Sequence, residues 1–165
     1  MHMITEILEN IKNQTKLMFL EHKEHPPIFF LETDEGIGLM PAAEMFGDAN
    51  GKDKCVEMLK HLISIGKVKG FIFIAEAWVK TVDSFAEMRE HYKKFGGLKF
   101  AKDKKEILMI QYQSFDSNFF YVADIVRNGD EVSLGDWVEH KNEGKNPISG
   151  GRFDNLFEKA KAASN

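Results

Sequence analysis

Glu76 is the single carboxylate in residues 68–79, a stretch that otherwise reads as a central β-strand apolar on both faces. Alternation puts Phe71, Phe73, Ala75 and Ala77 on one face, and Ile72, Ile74, Glu76 and Trp78 on the other. Apolar flanks disfavour the charged form of a carboxyl and raise its pKa, the condition for a general acid or base. The structural alternative is a Lys or Arg partner, or a place near the strand end that faces water. A second polar set, Gln111, Gln113 and Asp124, falls among Ile107, Met109, Val122 and Val126 on the outer face of a later hairpin. If the two strands are neighbours, Glu76, Gln111 and Asp124 form a candidate polar site. Two acids and an amide can hold a divalent cation or manage a proton. The plainer reading is polar dilution of a half-exposed sheet face.

The other candidate is a basic loop, Lys93, Lys94, Lys99, Lys102, Lys104 and Lys105, interleaved with Tyr92, Phe95 and Phe100. Such a run is ordinarily a solvated loop, and otherwise a clamp for phosphate or an acidic partner. The net charge of −4 argues against a nucleic-acid binder, which carries a basic balance or stripe. His22 and His25 are spaced three apart, but prolines follow at 26 and 27 and no third ligand is evident, so no metal site is expected. Asp48 to Asp53 resembles a calcium loop only superficially. Its glycine stands fourth rather than sixth and no Glu stands twelfth, so it reads as a helix cap. Gly36-Ile37-Gly38 is too short for a dinucleotide fingerprint. No nucleophile elbow, P-loop or Cys/His pairing is present, so no catalytic residue is assigned and no cofactor is implied.

These residues need a scaffold, and 165 residues suffice for one globular domain over 1–165 with a sizeable core. Fourteen Phe supply large buried area per residue. One cysteine, Cys55, forbids an intrachain disulfide and fits a reducing, cytoplasmic setting. No apolar run approaches the ~20 residues of a membrane span.

The spacing of Ile4, Ile7, Leu8, Ile11 and Met18 predicts a helix over 4–22, ended by His25-Pro26-Pro27. Residues 28–32 and 37–40 form a hairpin around Asp34-Glu35-Gly36. A helix over 51–65 buries Cys55, Met58, Leu59, Leu62 and Ile63, is capped by Asn50 or Asp53, and stops at Gly66. After the central strand comes a helix over 83–94, then a hairpin of 106–114 with 118–127. Taking Asp116-Ser117 as its turn pairs Tyr112 with Tyr121, Ile110 with Ala123, Leu108 with Ile125 and Glu106 with Arg127. The core face is then Leu108, Ile110, Tyr112, Tyr121, Ala123 and Ile125. Asn128-Gly129 turns the chain into a short strand over 131–134. A loop over 141–151 precedes a final helix over 152–162 with Phe153, Leu156, Phe157 and Ala160 on one side. This order predicts an α+β fold: an antiparallel or mixed sheet of about five to six strands with helices packed on it. The element order is similar to that of the roadblock or profilin-like class, an analogy that fixes no function.

Ile74-Ala75-Glu76-Ala77-Trp78, a polar spacer and Lys104-Lys105-Glu106-Ile107-Leu108 together resemble a loose set of small phage and prophage proteins of unassigned function. Those carry a Ser-Glu-Ala-Trp strand, a proline-rich spacer and Arg-x-Glu before the next strand. Here Ala75 replaces the serine, Lys104 the arginine, and the spacer has no proline. The resemblance spans about residues 70–110 and implies a strand–loop–strand unit and a viral origin, with no catalytic residue. The resulting expectation is a small noncatalytic binding or regulatory protein whose partner is another protein or a second copy, a homodimer. The rivals are a hydrolase or phosphate-handling enzyme using Glu76 and Asp124, and a nucleic-acid binder using the loop 93–105.

Overall fold

Hairpins laid side by side build the sheet, and proline sets where one edge of it stops. The computed structural model describes residues 3–79, 105–141, 153 and 156–164. The helix expected over 83–94, the basic loop apart from Lys105, and most of the loop 141–151 lie outside the described residues. The chain runs α1 (Met3–Glu6), α2 (Leu8–His22), β1 (Ile28–Thr33), β2 (Gly36–Pro41), a 3₁₀ turn (Met45–Gly47), α3 (Ala49–Ser64), β3 (Gly70–Val79), β4 (Lys105–Ser114), β5 (Asn118–Asn128), β6 (Glu131–Leu134), β7 (Val138–Lys141) and α4 (Leu156–Ser164). The fold is α+β. The sheet order is β2-β1-β3-β4-β5-β6, every described pairing is antiparallel, and β7 also pairs with β5.

The even-numbered face of β3 carries Ile72 and Ile74. With Leu108, Ile110, Tyr112 and Ile125 it packs beneath Ile4, Leu8, Ile11 and Phe19 of α1–α2. The odd-numbered face carries Phe71, Phe73 and Ala75 and packs against Cys55, Leu59 and Ile63 of α3 and Leu156, Phe157 and Ala160 of α4. The sheet is therefore covered on both sides. This accounts for a β3 that is apolar on both faces, as buried strands are. Phe29, Phe46, Phe73 and Phe153 form a continuous ring cluster, with Phe29 and Phe73 stacked at 4.5 Å and Phe46 and Phe153 stacked at 5.3 Å.

The first helix is interrupted at Ile7 and ends earlier than the prolines require. Lys23 adopts a left-handed conformation (φ 62°), and its N–H bonds the Phe19 carbonyl at 2.6 Å. That conformation is disfavoured for a side chain with a Cβ. Lys23 is held in it by long-range bonds: its ammonium donates to the Asp130 carbonyl (2.7 Å) and its own carbonyl accepts from Arg127 (3.1 Å). Thr15 and Phe19 are buried on this helix, whereas Met18 is 43% exposed. α3 is capped by Asp48, whose carboxylate accepts from the Gly51 N–H at 2.7 Å, rather than by Asn50 or Asp53.

Gly51 sits where this first turn crosses the 3₁₀ turn, and a Cβ there would fall on the Met45 carbonyl oxygen. Gly51→Ala is expected to destabilise by about 1–3 kcal/mol through forced backbone shift, despite alanine's better helix propensity. Chemical denaturation would check this, and an unchanged midpoint would contradict the close approach.

Both later turns are centred one residue from the expected place. The β4–β5 loop is Phe115-Asp116, closed by the Ser114 N–H donating to the Ser117 carbonyl (2.8 Å). The Ser114 hydroxyl bonds Asp116 (2.8 Å) and accepts from the Ser117 N–H (3.1 Å), which fixes this centre. The pairing is consequently Leu108 with Ala123, Ile110 with Tyr121 and Tyr112 with Phe119, displaced by two residues from the sequence expectation. A displacement of two preserves side-chain direction, so the expected core face is kept. The β5–β6 loop is Gly129-Asp130, with Gly129 at φ 62°, which a glycine adopts freely. β7 is a strand the sequence patterning did not indicate.

Candidate functional site

The three residues of the sequence-derived polar site do not converge. Glu76 pairs with Leu108 and so points to the α2 side of the sheet. Asp124 pairs with Ile107, and Gln111 with Phe73, so both point to the α3–α4 side. Glu76 and Asp124 are also two strands apart, about 10 Å from spacing alone. Their carboxyls cannot act on one substrate atom, and the shared face expected from sequence is corrected here by register. Asp124 instead pairs with Lys105 at 2.8 Å on a half-exposed surface. Gln111 is buried (1% exposed), as is Gln113, so this face is covered at their end and half-exposed at Asp124.

Gln113 has a structural task. Its Oε1 accepts from the Leu156 N–H at 2.9 Å, and its Nε2 donates to the Phe153 carbonyl. One buried amide thereby satisfies two main-chain groups at the start of α4.

Glu76 belongs to a charge network at the sheet end. Arg127 binds Glu106 through two parallel bonds, Nε to Oε2 and Nη2 to Oε1, each 2.9 Å. Its Nη2 reaches Glu76 at 3.5 Å, and its guanidinium lies 5.8 Å from the Phe19 ring centroid. The Glu106–Arg127 pair expected from sequence is present, formed diagonally. Burial pushes the Glu76 carboxyl above its ordinary value; Arg127 draws it back in part, and Glu106 adds to the rise. A raised folded pKa stabilises the protein below the unfolded value and is lost as pH rises through the folded one. Glu76→Gln is therefore expected to be at least as stable as wild type at neutral pH and to lose that advantage in acid. Paired melts at the two pH values would test this; a variant less stable at neutral pH would contradict the sign.

His25 is buried (6% exposed), and burial pushes its imidazole below the ordinary histidine value, so it is neutral at neutral pH. Its Nδ1 lies 2.8 Å from the Pro26 carbonyl; donation there leaves Nε2 as an acceptor. His22 is exposed and bonds only weakly to Glu21, at 3.9 Å. Among the described residues no three His, Cys, Asp or Glu side chains group to hold a metal ion. Cys55 is fully buried, its thiol pushed up to about 11 by burial, which makes it a poor nucleophile.

Two clefts flank the segment from His25 to Pro27. Proline lacks the N–H of a ladder residue, and β1 begins only at Ile28, opposite Ile74. Among the described residues, Ala75 to Val79 therefore pair with β4 alone. On the α2 side, a groove of about 320 Å³ lies between α2 and the starts of β1 and β3. Ile7, Ile11, Met18, Ile28, Phe30 and Ile74 line it, with Asn10 and Gln14 also in the wall. On the other side, a cleft of about 350 Å³ is walled by Phe46, Phe73, Met109 and Phe153, with Lys52, His25 and Glu76 around it. Sequence reasoning missed His25, Lys52 and Phe46 as wall residues; the only local signal was the proline pair that ends β1.

No protein-family model matches the chain, and no curated protein or solved structure matches it. The fold and site thus define an antiparallel α+β protein with helices on both faces of its sheet and two clefts at one end. No helix among the described residues is long and apolar enough to cross a membrane.

Proposed function

We propose that this is a noncatalytic binding protein that captures an apolar segment of a partner protein in the groove beside α2. The supporting observation is the groove itself: an almost wholly apolar wall that reaches the surface at Met18, 43% exposed. Exposed apolar surface that joins a pocket has the form of a protein-docking site, where one or two large side chains anchor a longer segment. The separation of Glu76 from Asp124 also favours binding over acid–base chemistry by that pair. The single, buried cysteine fits a cytoplasmic protein, and the Glu-Ala-Trp strand a viral one.

Titration with a neutral solvatochromic dye tests the groove. Saturable binding is expected, and Met18→Asp, at a half-exposed position, should weaken it about tenfold, equivalent to 1.4 kcal/mol. Unsaturable binding, or indifference to Met18→Asp, contradicts the reading. Sedimentation at micromolar concentration distinguishes occupants. A monomer points to a different partner, whereas a dimer that Met18→Asp dissociates makes a second copy the occupant.

A further inference from the structure

The cleft on the opposite side of the sheet differs in chemistry from the groove, because a single cation stands beside its aromatic wall. Phe73, Ala75 and Ala77 of β3 and Met109 of β4 line it from the α3–α4 face of the sheet. The rings of Phe46, Phe73 and Phe153 cluster there, with centroids 5.0 to 5.6 Å apart. Lys52, partly buried near the start of α3, borders the cleft, and its ammonium lies 5.7 Å from the centroid of the Phe46 ring. It makes no ion pair among the described residues. The two other ionisable neighbours bring no charge into the cleft. Strand parity turns the Glu76 carboxylate to the α2 face, where Arg127 lies 3.5 Å from it. His25 is neutral at neutral pH, its imidazole lowered by burial. What remains is one positive group against an apolar wall, around about 350 Å³ of space, a volume typical of small-molecule sites.

We propose that this cleft binds an aromatic monocarboxylate, its ring packed against Phe46, Phe73 and Phe153 and its carboxylate paired with Lys52. Charge selects the monoanion. An amine would meet Lys52 as a like charge, and a dianion would bring one charge more than Lys52 can match into apolar surroundings. The ring cluster selects the aromatic body, since aromatic pairs add stabilisation beyond area burial. The two contacts are also close together. The Lys52 ammonium already lies by Phe46, so a carboxylate paired with it is held beside a ring on which the ligand packs. The site does not rest on the groove beside α2, from which the sheet separates it.

Calorimetric titration of the full chain with phenylacetate, phenylacetamide, phenethylamine and cyclohexylacetate tests charge and ring separately. Phenylacetate should bind at millimolar concentration, and each analogue about tenfold or more weakly, equivalent to at least 1.4 kcal/mol. Lys52→Gln should bring phenylacetate down to the level of phenylacetamide and leave phenylacetamide unchanged, whereas Lys52→Arg should keep most of the affinity. Thermal melts confirm that both variants fold. Met18→Asp, in the groove, should leave phenylacetate binding as it is, and Lys52→Gln should leave dye binding in the groove as it is. No heat with phenylacetate, cyclohexylacetate bound as tightly, or affinity unmoved by Lys52→Gln would overturn the proposal. So would loss of phenylacetate binding in Met18→Asp, which would put that ligand in the groove. The two readings therefore fail separately.

Discussion

Gln113→Met is expected to lower stability by about 2–4 kcal/mol, with a fall in Tm of roughly 5–15 °C for a chain of this size. Methionine nearly matches the length of glutamine but offers neither of its hydrogen bonds. The Leu156 N–H and the Phe153 carbonyl would both be left buried without their present partner. The loss should be felt first at α4. Hydrogen exchange in 156–164 is expected to accelerate before that of β3 and β4, because α4 would open as a local unit. Gln113→Glu sharpens the test. The introduced carboxylate can still accept from Leu156, but it turns an acceptor toward the Phe153 carbonyl. Its folded pKa should therefore be raised. By linkage the stability deficit should shrink as pH falls, since the protonated carboxyl can donate again. A Gln113→Met protein with wild-type Tm would show that α4 is held by Leu156, Phe157 and Ala160 alone.

Arg127→Met should cost about 1–3 kcal/mol. That is less than a fully buried ion pair because the Arg127 side chain is 38% exposed. The change removes the bidentate partner of Glu106, whose side chain is only 14% exposed, the contact with Glu76, the bond to the Lys23 carbonyl and the cation over Phe19. Two consequences separate these losses. Adding Glu76→Gln and Glu106→Gln should restore much of the stability, because the leading penalty is unpaired carboxylate. The end of α2 should also fray, since Lys23 holds its left-handed conformation through that hairpin. Denaturation of the single and triple variants checks the first. A triple variant no more stable than Arg127→Met would shift the account to Phe19 and Lys23.

The side-chain faces of the sheet were legible because period-two patterning is local. Leu108, Ile110, Tyr112 and Ile125 are buried together even though their pairing is displaced by two residues. The turn centre was less legible because residues 114–118, Ser-Phe-Asp-Ser-Asn, offer several polar side chains that can close a turn. The Ser114 hydroxyl decides between them. Cap identity followed the same pattern, with Asp48 chosen over nearby Asn50 and Asp53. β7, Val138-Glu-His-Lys, has too little apolar alternation to announce itself. The shared face of Glu76, Gln111 and Asp124 failed on parity: β3 and the hairpin are neighbours, the condition set for it, but direction depends on a register no single strand carries. The clefts were illegible for a further reason. They arise where Pro26 and Pro27 stop β1 short of the end of β3, so each draws its wall from five or more separate elements or connections.

The apolar groove beside α2 is the surface proposed for binding. Methyl-resolved NMR during titration with the neutral dye tests it most directly. The methyls of Ile7, Ile11, Met18 and Ile28 should shift together and saturably, while those of Leu59 and Ile63, on the buried face of α3, stay in place. Shifts absent from the groove, or spread evenly over both faces of the sheet, would contradict it.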